Sequence, residues 1–340
     1  MRRRRNAAAR DLPRRPPRPA AGRGRHRLLA REPSGPRRLR RQLRDPAMTD
    51  APASPFGDAA DFAASAEDRP LTEQFRGKVA IVTGGTSGLG LAAVETMLRR
   101  GLAGAVICGR RAEQGEAAAA RLSTPDAPVI YQQADIAKTA DLHAVIDRAL
   151  AEFGSFDILV NSAGVTDRGG ILDGDEALWE RTFAINARAP FFLIQRAARH
   201  WREARKPGSV VNVATITAHG GVPFLTVYAA SKAALLAVTK NAAFSLARDG
   251  VRINALAIGW MDTPAEDAIQ KKFHGMKDGW QQEAGKALPA GRLLNMNEVA
   301  RWIAHLASAE SGIMTGSVLD FDHGVIGCYE ATPLPAPREG

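Results

Sequence analysis

Lys78-Val-Ala-Ile-Val-Thr83-Gly-Gly-Thr-Ser-Gly88-Leu-Gly90-Leu-Ala-Ala-Val-Glu-Thr-Met-Leu-Arg99 decides the fold. Its first six residues form a short apolar run rich in β-branched side chains, which reads as a buried parallel strand. The glycines follow at once, and Leu91 to Arg99 then reads as a helix. A strand, a glycine turn and a helix N-terminus bring backbone N–H groups and the positive end of a helix dipole to one point. A pyrophosphate binds well at such a point. Gly84, Gly88 and Gly90 permit the tight turn and the close backbone approach that a Cβ would block. The competing reading is a glycine-rich turn that holds no ligand.

The pattern continues on the C-terminal side. Apolar runs recur at Ala105–Cys108, Val129–Tyr131, Ile158–Val160, Val210–Val213, Ile253–Ala257 and Val318–Phe321. Between them lie helical stretches at Asp141–Phe153, Asp175–Trp201, Thr226–Arg248 and Asn297–Ala307. Strand–helix alternation of this kind predicts an α/β fold, a doubly wound parallel sheet of Rossmann-like type in a single domain. The domain is placed at residues 74–327. Ligands bind beyond the carboxyl ends of such strands, and Asn161, Thr215 and Gly259 fall at the ends of the fourth, fifth and sixth.

Tyr228-Ala-Ala-Ser-Lys232 supplies the chemistry. Residues four apart on a helix share a face, so the ammonium is expected beside the phenol, favouring its ionised form. A free phenol titrates near 10, so a tyrosine base working near neutrality needs a downward shift of roughly two to three units. Lys232 and the positive ring of an oxidised nicotinamide are the expected sources. Tyr228-x-x-x-Lys232 together with the glycine loop points to hydride transfer.

With these residues in view, the chain resembles the short-chain dehydrogenases/reductases over about residues 74–327. Thr83-Gly84-x-x-x-Gly88-x-Gly90 is similar to that family's cofactor fingerprint, Asn161-Ser-Ala-Gly164 to its Asn-Asn-Ala-Gly stretch, and Met314 through Gly324 to its last strand. The resemblance implies that Gly84, Thr86, Ser87, Gly88, Leu89, Gly90, Asp135, Ile136, Asn161, Ala163, Gly164, Gly259, Met261 and Thr263 contact the cofactor, with Asp135 at the adenine. It implies catalytic roles for Asn186, Tyr228 and Lys232. Tyr228 would exchange a proton with the substrate oxygen. Lys232 would lower the phenol's pKa and hold the nicotinamide ribose. Asn186 would fix a water that relays protons to Lys232. The family's catalytic serine, thirteen residues before the tyrosine, is here Thr215, which keeps the hydroxyl but stiffens χ1. Thr217 is a second candidate, facing the same side if the strand continues. Ile258 replaces the proline usual before Gly259, leaving a backbone N–H near the nicotinamide.

The end of the second strand bears on cofactor choice. An acidic residue there would hold a ribose 2′-hydroxyl and favour NAD(H). Instead Cys108-Gly-Arg110-Arg111 offers two guanidiniums, which match a 2′-phosphate by charge-assisted hydrogen bonds. NADP(H) is therefore the expected cofactor, with NAD(H) as the alternative. The competing reading is that both arginines merely solvate the next helix.

The chain has 340 residues, 45% hydrophobic and 24% charged, which fits one α/β domain plus extensions. It has no apolar stretch long enough to span a bilayer. Cys108 and Cys328 are its only cysteines; they show neither metal-ligand spacing nor a disulfide framework, so a reducing cytoplasm is expected. The formal charge of +10 is uneven. Residues 1–47 hold seventeen Arg, no Lys and three acids, a net of +14, which leaves about −4 for the remainder. Seven prolines prevent a helix in this leader. Its readings are an untranslated upstream frame with the start at Met48, a disordered basic tail, and a targeting segment. Binding to nucleic acid is not the expected role. Residues 48–73 read as a flexible extension and 328–340 as a tail.

The expected partner is a small molecule, and a homotetramer or homodimer is the expected assembly. The segment after the sixth strand, with Trp260, Asp262, Phe273, His274 and Trp280, should cap the pocket. Asp167, Arg168 and His219 add polar groups at its mouth. Such a lining suits a sugar or polyol better than a long acyl chain, with a 3-oxoacyl thioester as the alternative. A reading from another class is a non-catalytic, dinucleotide-sensing protein, which would need the glycine loop but not the Tyr228–Lys232 pair.

Overall fold

The computed structural model describes residues 70–326. The expectations for residues 1–47, for the first part of the 48–73 extension, and for the tail with Cys328 lie outside them. Seven parallel strands form one sheet in the order β3-β2-β1-β4-β5-β6-β7. They are β1 (Val79–Thr83), β2 (Gly104–Gly109), β3 (Val129–Gln133), β4 (Ile158–Asn161), β5 (Gly208–Thr215), β6 (Val251–Ile258) and β7 (Val318–Phe321). The order reverses between β1 and β4, whose carboxyl ends Thr83 and Asn161 are in register. That reversal opens the crevice in which doubly wound sheets take ligands.

The described residues form nine α-helices. They are α1 (Gly88–Arg99), α2 (Ala112–Leu122), α3 (Thr139–Phe153), α4 (Glu176–Phe183), α5 (Ala189–Glu203), α6 (Thr226–Leu246), α7 (Pro264–His274), α8 (Trp280–Lys286) and α9 (Met296–Ala307). Alternation along each strand explains the two faces. Ala80, Val82, Ala105, Ile107 and Val160 pack with Val94 and Met97 of α1 and Val299 and Ile303 of α9. Ile81, Val106, Leu159 and Val210 pack on the other side with Val145 and Ile146 of α3 and Leu193 and Trp201 of α5. Runs buried on both faces show no polar alternation, which is why these strands read as continuous apolar segments.

Two departures from the sequence reading have physical causes. The single helix expected over Asp175–Trp201 is interrupted. Asp175 caps α4 by accepting the Leu178 N–H at 2.7 Å, and a π-turn over Ala184–Arg188 separates α4 from α5. Pro190 explains the turn, since it has no N–H for the Asn186 carbonyl four residues back and its ring crowds that oxygen. The pocket-capping segment contains two helices, α7 and α8, to which the sequence reading assigned no element. Their short lengths and weak apolar pattern conceal them. The extension is also ordered earlier than residue 74: Leu71–Glu73 forms a 3₁₀ turn, and Phe75 is buried against the α1 side of the sheet.

Candidate active site

The glycine loop joins β1 to α1. Gly84 has φ +67, a left-handed conformation that favours glycine. A Cβ on Gly90 would lie 2.4 Å from the Gly84 carbonyl oxygen, so the first turn of α1 closes on the loop only with glycine there. Thr83 ties this loop to the next strand end: its Oγ1 accepts the N–H groups of Ser162 and Ala163 at 3.1 and 3.2 Å. Ser87 occupies the N-cap of α1 and makes no side-chain capping bond, while Leu89 is buried in the core behind it. Thr86 is also buried, against Gly109 at the end of β2.

This cradle fits a dinucleotide. The loop sits at the switch point, it leaves no room for side chains at Gly84 and Gly90, and Asn161 carries an unpartnered buried Oδ1 at the adjacent strand end. The other amide group of Asn161 donates to Asn212 Oδ1 at 2.8 Å, and Asn212 donates in turn to Thr239 Oγ1 at 2.9 Å. The sequence reading missed Asn212, although a polar residue within Val210-Val-Asn-Val213 is a visible signal.

The remaining expected cofactor residues divide by environment. Arg110 and Arg111 follow β2 and are exposed, with no ion-pair partner among the described residues. Asp135 is held after β3, where its N–H donates to Asp141 Oδ2 at 2.7 Å and its Oδ1 accepts from Ala137 at 3.1 Å. The Ile136 side chain packs in the core. Gly259 donates its N–H to the Phe321 carbonyl at 3.0 Å. Met261 bridges to Leu294, and Thr263 caps α7 by accepting from Glu266 at 3.0 Å. Ile258 is the last residue of β6, in register with Thr215 and Phe321. A proline there would withhold a donor from the strand.

The four expected catalytic residues come together at the end of β5. Asn186 is fully buried in the π-turn; its amide donates to Val165 O (2.9 Å) and Ser231 Oγ (3.0 Å), and its Oδ1 accepts from Val165 N–H (3.0 Å). Both amide hydrogens are thereby used, so a water relay through this side chain has only the second lone pair of Oδ1. A Cβ on Gly164 would lie 3.3 Å from that oxygen and 3.4 Å from Lys232 Nζ, which places Gly164 between the two groups. Thr215 ends β5, and the strand does not continue to Thr217. A 3₁₀ turn instead folds Thr217 back, leaving the two hydroxyl oxygens 3.2 Å apart.

The electrostatics differ from expectation. Burial pushes the Tyr228 phenol up to about 12, with a hydrogen bond from Thr215 acting in the opposite direction. Lys232 Nζ donates to the Val213 carbonyl at 2.8 Å, and burial lowers its ammonium to about 8. The expectation that Lys232 lowers the phenol is therefore not met by the protein alone. Both groups are desolvated, and desolvation disfavours each charged form.

The lid segment is tied together by its own polar groups. Trp260 and Trp280 stack at 5.4 Å, and their ring N–H groups donate to Glu266 and Asp267, each at 2.9 Å. Among the polar residues expected at the mouth, Arg168 and His274 meet at 3.1 Å. Asp167 pairs with Arg181 at 2.7 Å, His219 with Asp320 at 3.0 Å, and Asp262 accepts from Gln281 at 3.4 Å.

A family model described as "Enoyl-(Acyl carrier protein) reductase" matches residues 84–326. The chain is 33% identical over 255 residues to a cis-4-hydroxycyclohexanecarboxylate dehydrogenase of Sinomonas cyclohexanicum, covering 75% of this chain and 98% of that protein. It is 32% identical over 249 residues to a 3-oxoacyl-[acyl-carrier-protein] reductase of Chlamydia pneumoniae, covering 73% and 97%. The crystal structure of levodione reductase superposes with a TM-score of 0.69 at 28% identity, covering 74% of this chain and 98% of that one. The chain belongs to the short-chain dehydrogenase/reductase family of oxidoreductases, whose dehydrogenases use nicotinamide cofactors. Among the described residues no helix is long and apolar enough to cross a membrane.

Proposed function

From membership of that family, we propose that this protein interconverts a secondary alcohol and its ketone, with Tyr228 as the general acid–base. The observation that carries the reading is the buried convergence of Thr215, Tyr228 and Lys232 at the end of β5, next to the glycine cradle. Tyr228 exchanges a proton with the substrate oxygen, and Thr215 orients that oxygen through its hydroxyl. A bound nicotinamide would supply or accept the hydride. Lys232 holds the ribose from a position fixed by the Val213 carbonyl. Asn186 braces this arrangement through Val165 and Ser231. Gly84, Gly90, Asn161 and Ala163 shape the cofactor site, and the exposed pair Arg110–Arg111 supports NADP(H) over NAD(H).

The lid, with Arg168, Glu266 and His274 among aromatic rings, supports a polar, hydroxylated substrate of the sugar or polyol class. The relative that acts on a hydroxycyclohexanecarboxylate supports a secondary alcohol on a compact skeleton. Similarity to a 3-oxoacyl reductase favours one second reading, reduction of a 3-oxoacyl thioester. Exposed Trp179 and Phe191, on α4 and α5, support assembly as a homodimer or homotetramer, which light scattering would measure. The test of function is nicotinamide absorbance with both cofactors over a panel of polyols, sugars, cyclic ketones and 3-oxoacyl thioesters. Turnover of polyols or cyclic ketones supports the reading, and preference for the thioester supports the second. Cofactor binding without turnover on the whole panel would favour a sensor.

A further inference from the structure

The loop after β4 sets a guanidinium over the mouth of this site. Gly169 donates its N–H to the Phe224 carbonyl at 2.9 Å, and its carbonyl accepts from Val227 at 3.2 Å. Arg168 is thus anchored beside the chain segment that leads into Tyr228. Its side chain is only 12% exposed. The guanidinium carbon lies 5.6 Å from the Phe224 ring centre and 6.0 Å from that of Phe273.

This charge lacks a hydrogen-bonded counter-ion among the described residues. Nη1 donates to the Thr166 carbonyl at 2.9 Å, and Nε donates to His274 Nε2 at 3.1 Å. The nearest carboxylate oxygen, Glu266 Oε1, is 3.9 Å from Nη2, too far for a hydrogen bond. That oxygen already accepts from Trp260 at 2.9 Å and from Gln270 at 2.7 Å. A guanidinium has five N–H groups in a fork that matches an oxyanion, so most of its donor capacity remains. Largely buried charges are ordinarily paired. Burial is the leading influence that loosens the Arg168 proton, and the charges of Glu266 and Asp167 oppose it without a hydrogen bond to the guanidinium.

We propose that Arg168 is a specificity-determining residue that binds a carboxylate of the substrate, which narrows the polar, hydroxylated class to hydroxy acids, sugar acids included, and their keto acids over uncharged members. The proposal rests on the alcohol–ketone reading of this site. Thr215 and Tyr228 would take the reacting oxygen while Arg168 takes the far end of the molecule. The competing role for Arg168 is a brace between the β4 loop and α7 through His274.

Calorimetric titration of the cofactor-loaded protein with cyclohexanecarboxylate and with cyclohexanecarboxamide separates these roles, because the two probes share size and skeleton while only the first offers an anionic pair of acceptor oxygens. Turnover of 4-oxocyclohexanecarboxylate and its carboxamide is measured in parallel. The wild type should prefer the carboxylate by about 10- to 100-fold, the range for a hydrogen bond to a charged group. Arg168→Met should bring that ratio close to one, and Arg168→Lys should leave an intermediate ratio. Glu266→Gln keeps an acceptor for Trp260 and removes an opposing charge, so it should increase the ratio. That result is not expected from a brace, and it keeps the test intact should Arg168→Met fail to fold. Failure of the wild type to bind the carboxylate, a wild-type ratio near one, or a ratio that survives Arg168→Met overturns the proposal. Carboxylate preference in binding without turnover of either ketone or of any member of the panel would uphold the anion site and refute the alcohol–ketone reading. Equal turnover of both ketones would do the reverse.

Discussion

Lys232 Nζ donates to the main-chain carbonyl of Val213 at 2.8 Å, two residues before the end of β5. The ammonium is thus held by the strand that ends in Thr215, and its place is fixed independently of the phenol. Burial without a carboxylate partner lowers its pKa from 10.5 to about 8. A folded pKa below the unfolded one means that the unfolded chain binds the extra proton. Stability therefore rises with pH between about 8 and 10.5.

Lys232→Met removes that titration, and Tyr228 is common to both proteins. From pH 7 to 10.5 the wild type should gain roughly 3 kcal/mol relative to the variant. Denaturant unfolding at several pH values measures the difference. A constant difference across the range would mean that Lys232 titrates normally.

Thr215 and Thr217 share a hydroxyl contact of 3.2 Å at the end of β5, but only Thr215 is buried there, where its hydroxyl acts to lower the phenol of Tyr228 against the effect of burial. Thr215→Ser should retain most activity, whereas Thr215→Val, which keeps the shape and loses the hydroxyl, should reduce kcat by about 10²-fold or more. Thr217→Val should have the smaller effect. The reverse order would transfer the role to Thr217.

Arg110 and Arg111 lie exposed after β2, in the place of an acidic ribose ligand. Replacing both with Ser should raise KM for NADP(H) by roughly 10-fold or more, in keeping with lost charge-assisted hydrogen bonds, and change KM for NAD(H) much less. Equal changes for both cofactors would make the arginines structural.

Arg252 is a second cation held by carbonyls. From β6 it donates to Ser308 O at 2.8 Å, Leu306 O at 3.1 Å and Ser209 Oγ at 3.1 Å, and also to Ser311 Oγ. These carbonyls close the C-terminal end of α9, where a cation is favoured. Arg252→Met would leave them unpaired in the interior and should cost about 2–4 kcal/mol by urea unfolding. A loss below about 0.5 kcal/mol would show that water replaces the guanidinium.

Much of this was legible in the chain because the decisive features are local. The apolar run Val79–Val82, the glycines after it and the Tyr228–Lys232 spacing each act within one or two turns of backbone. The strand runs were equally plain, since strands buried on both faces carry few polar interruptions, Asn212 in β5 and Asn254 in β6 among them. What was not legible depends on contacts between distant segments. The break at Asn186 follows from Pro190, a signal present in the sequence but obscured by strong helical periodicity on either side. Helices α7 and α8 take their stability from Trp260 stacking on Trp280 and from Glu266, not from an apolar stripe. The direction of the Tyr228 shift also escaped a reading of neighbours, since burial outweighs the nearby charges. Nor does the Tyr228–Lys232 spacing disclose that a carbonyl nineteen residues away accepts from the ammonium.

The central claim is that Tyr228 moves the proton of an alcohol–ketone interconversion. Its most direct test is kcat of Tyr228→Phe on the best substrate of the panel, measured alongside the cofactor dissociation constant. The account predicts a fall in kcat of roughly 10²–10⁴-fold, the scale of general acid–base catalysis, with cofactor affinity retained. Near-full turnover by Tyr228→Phe would contradict it.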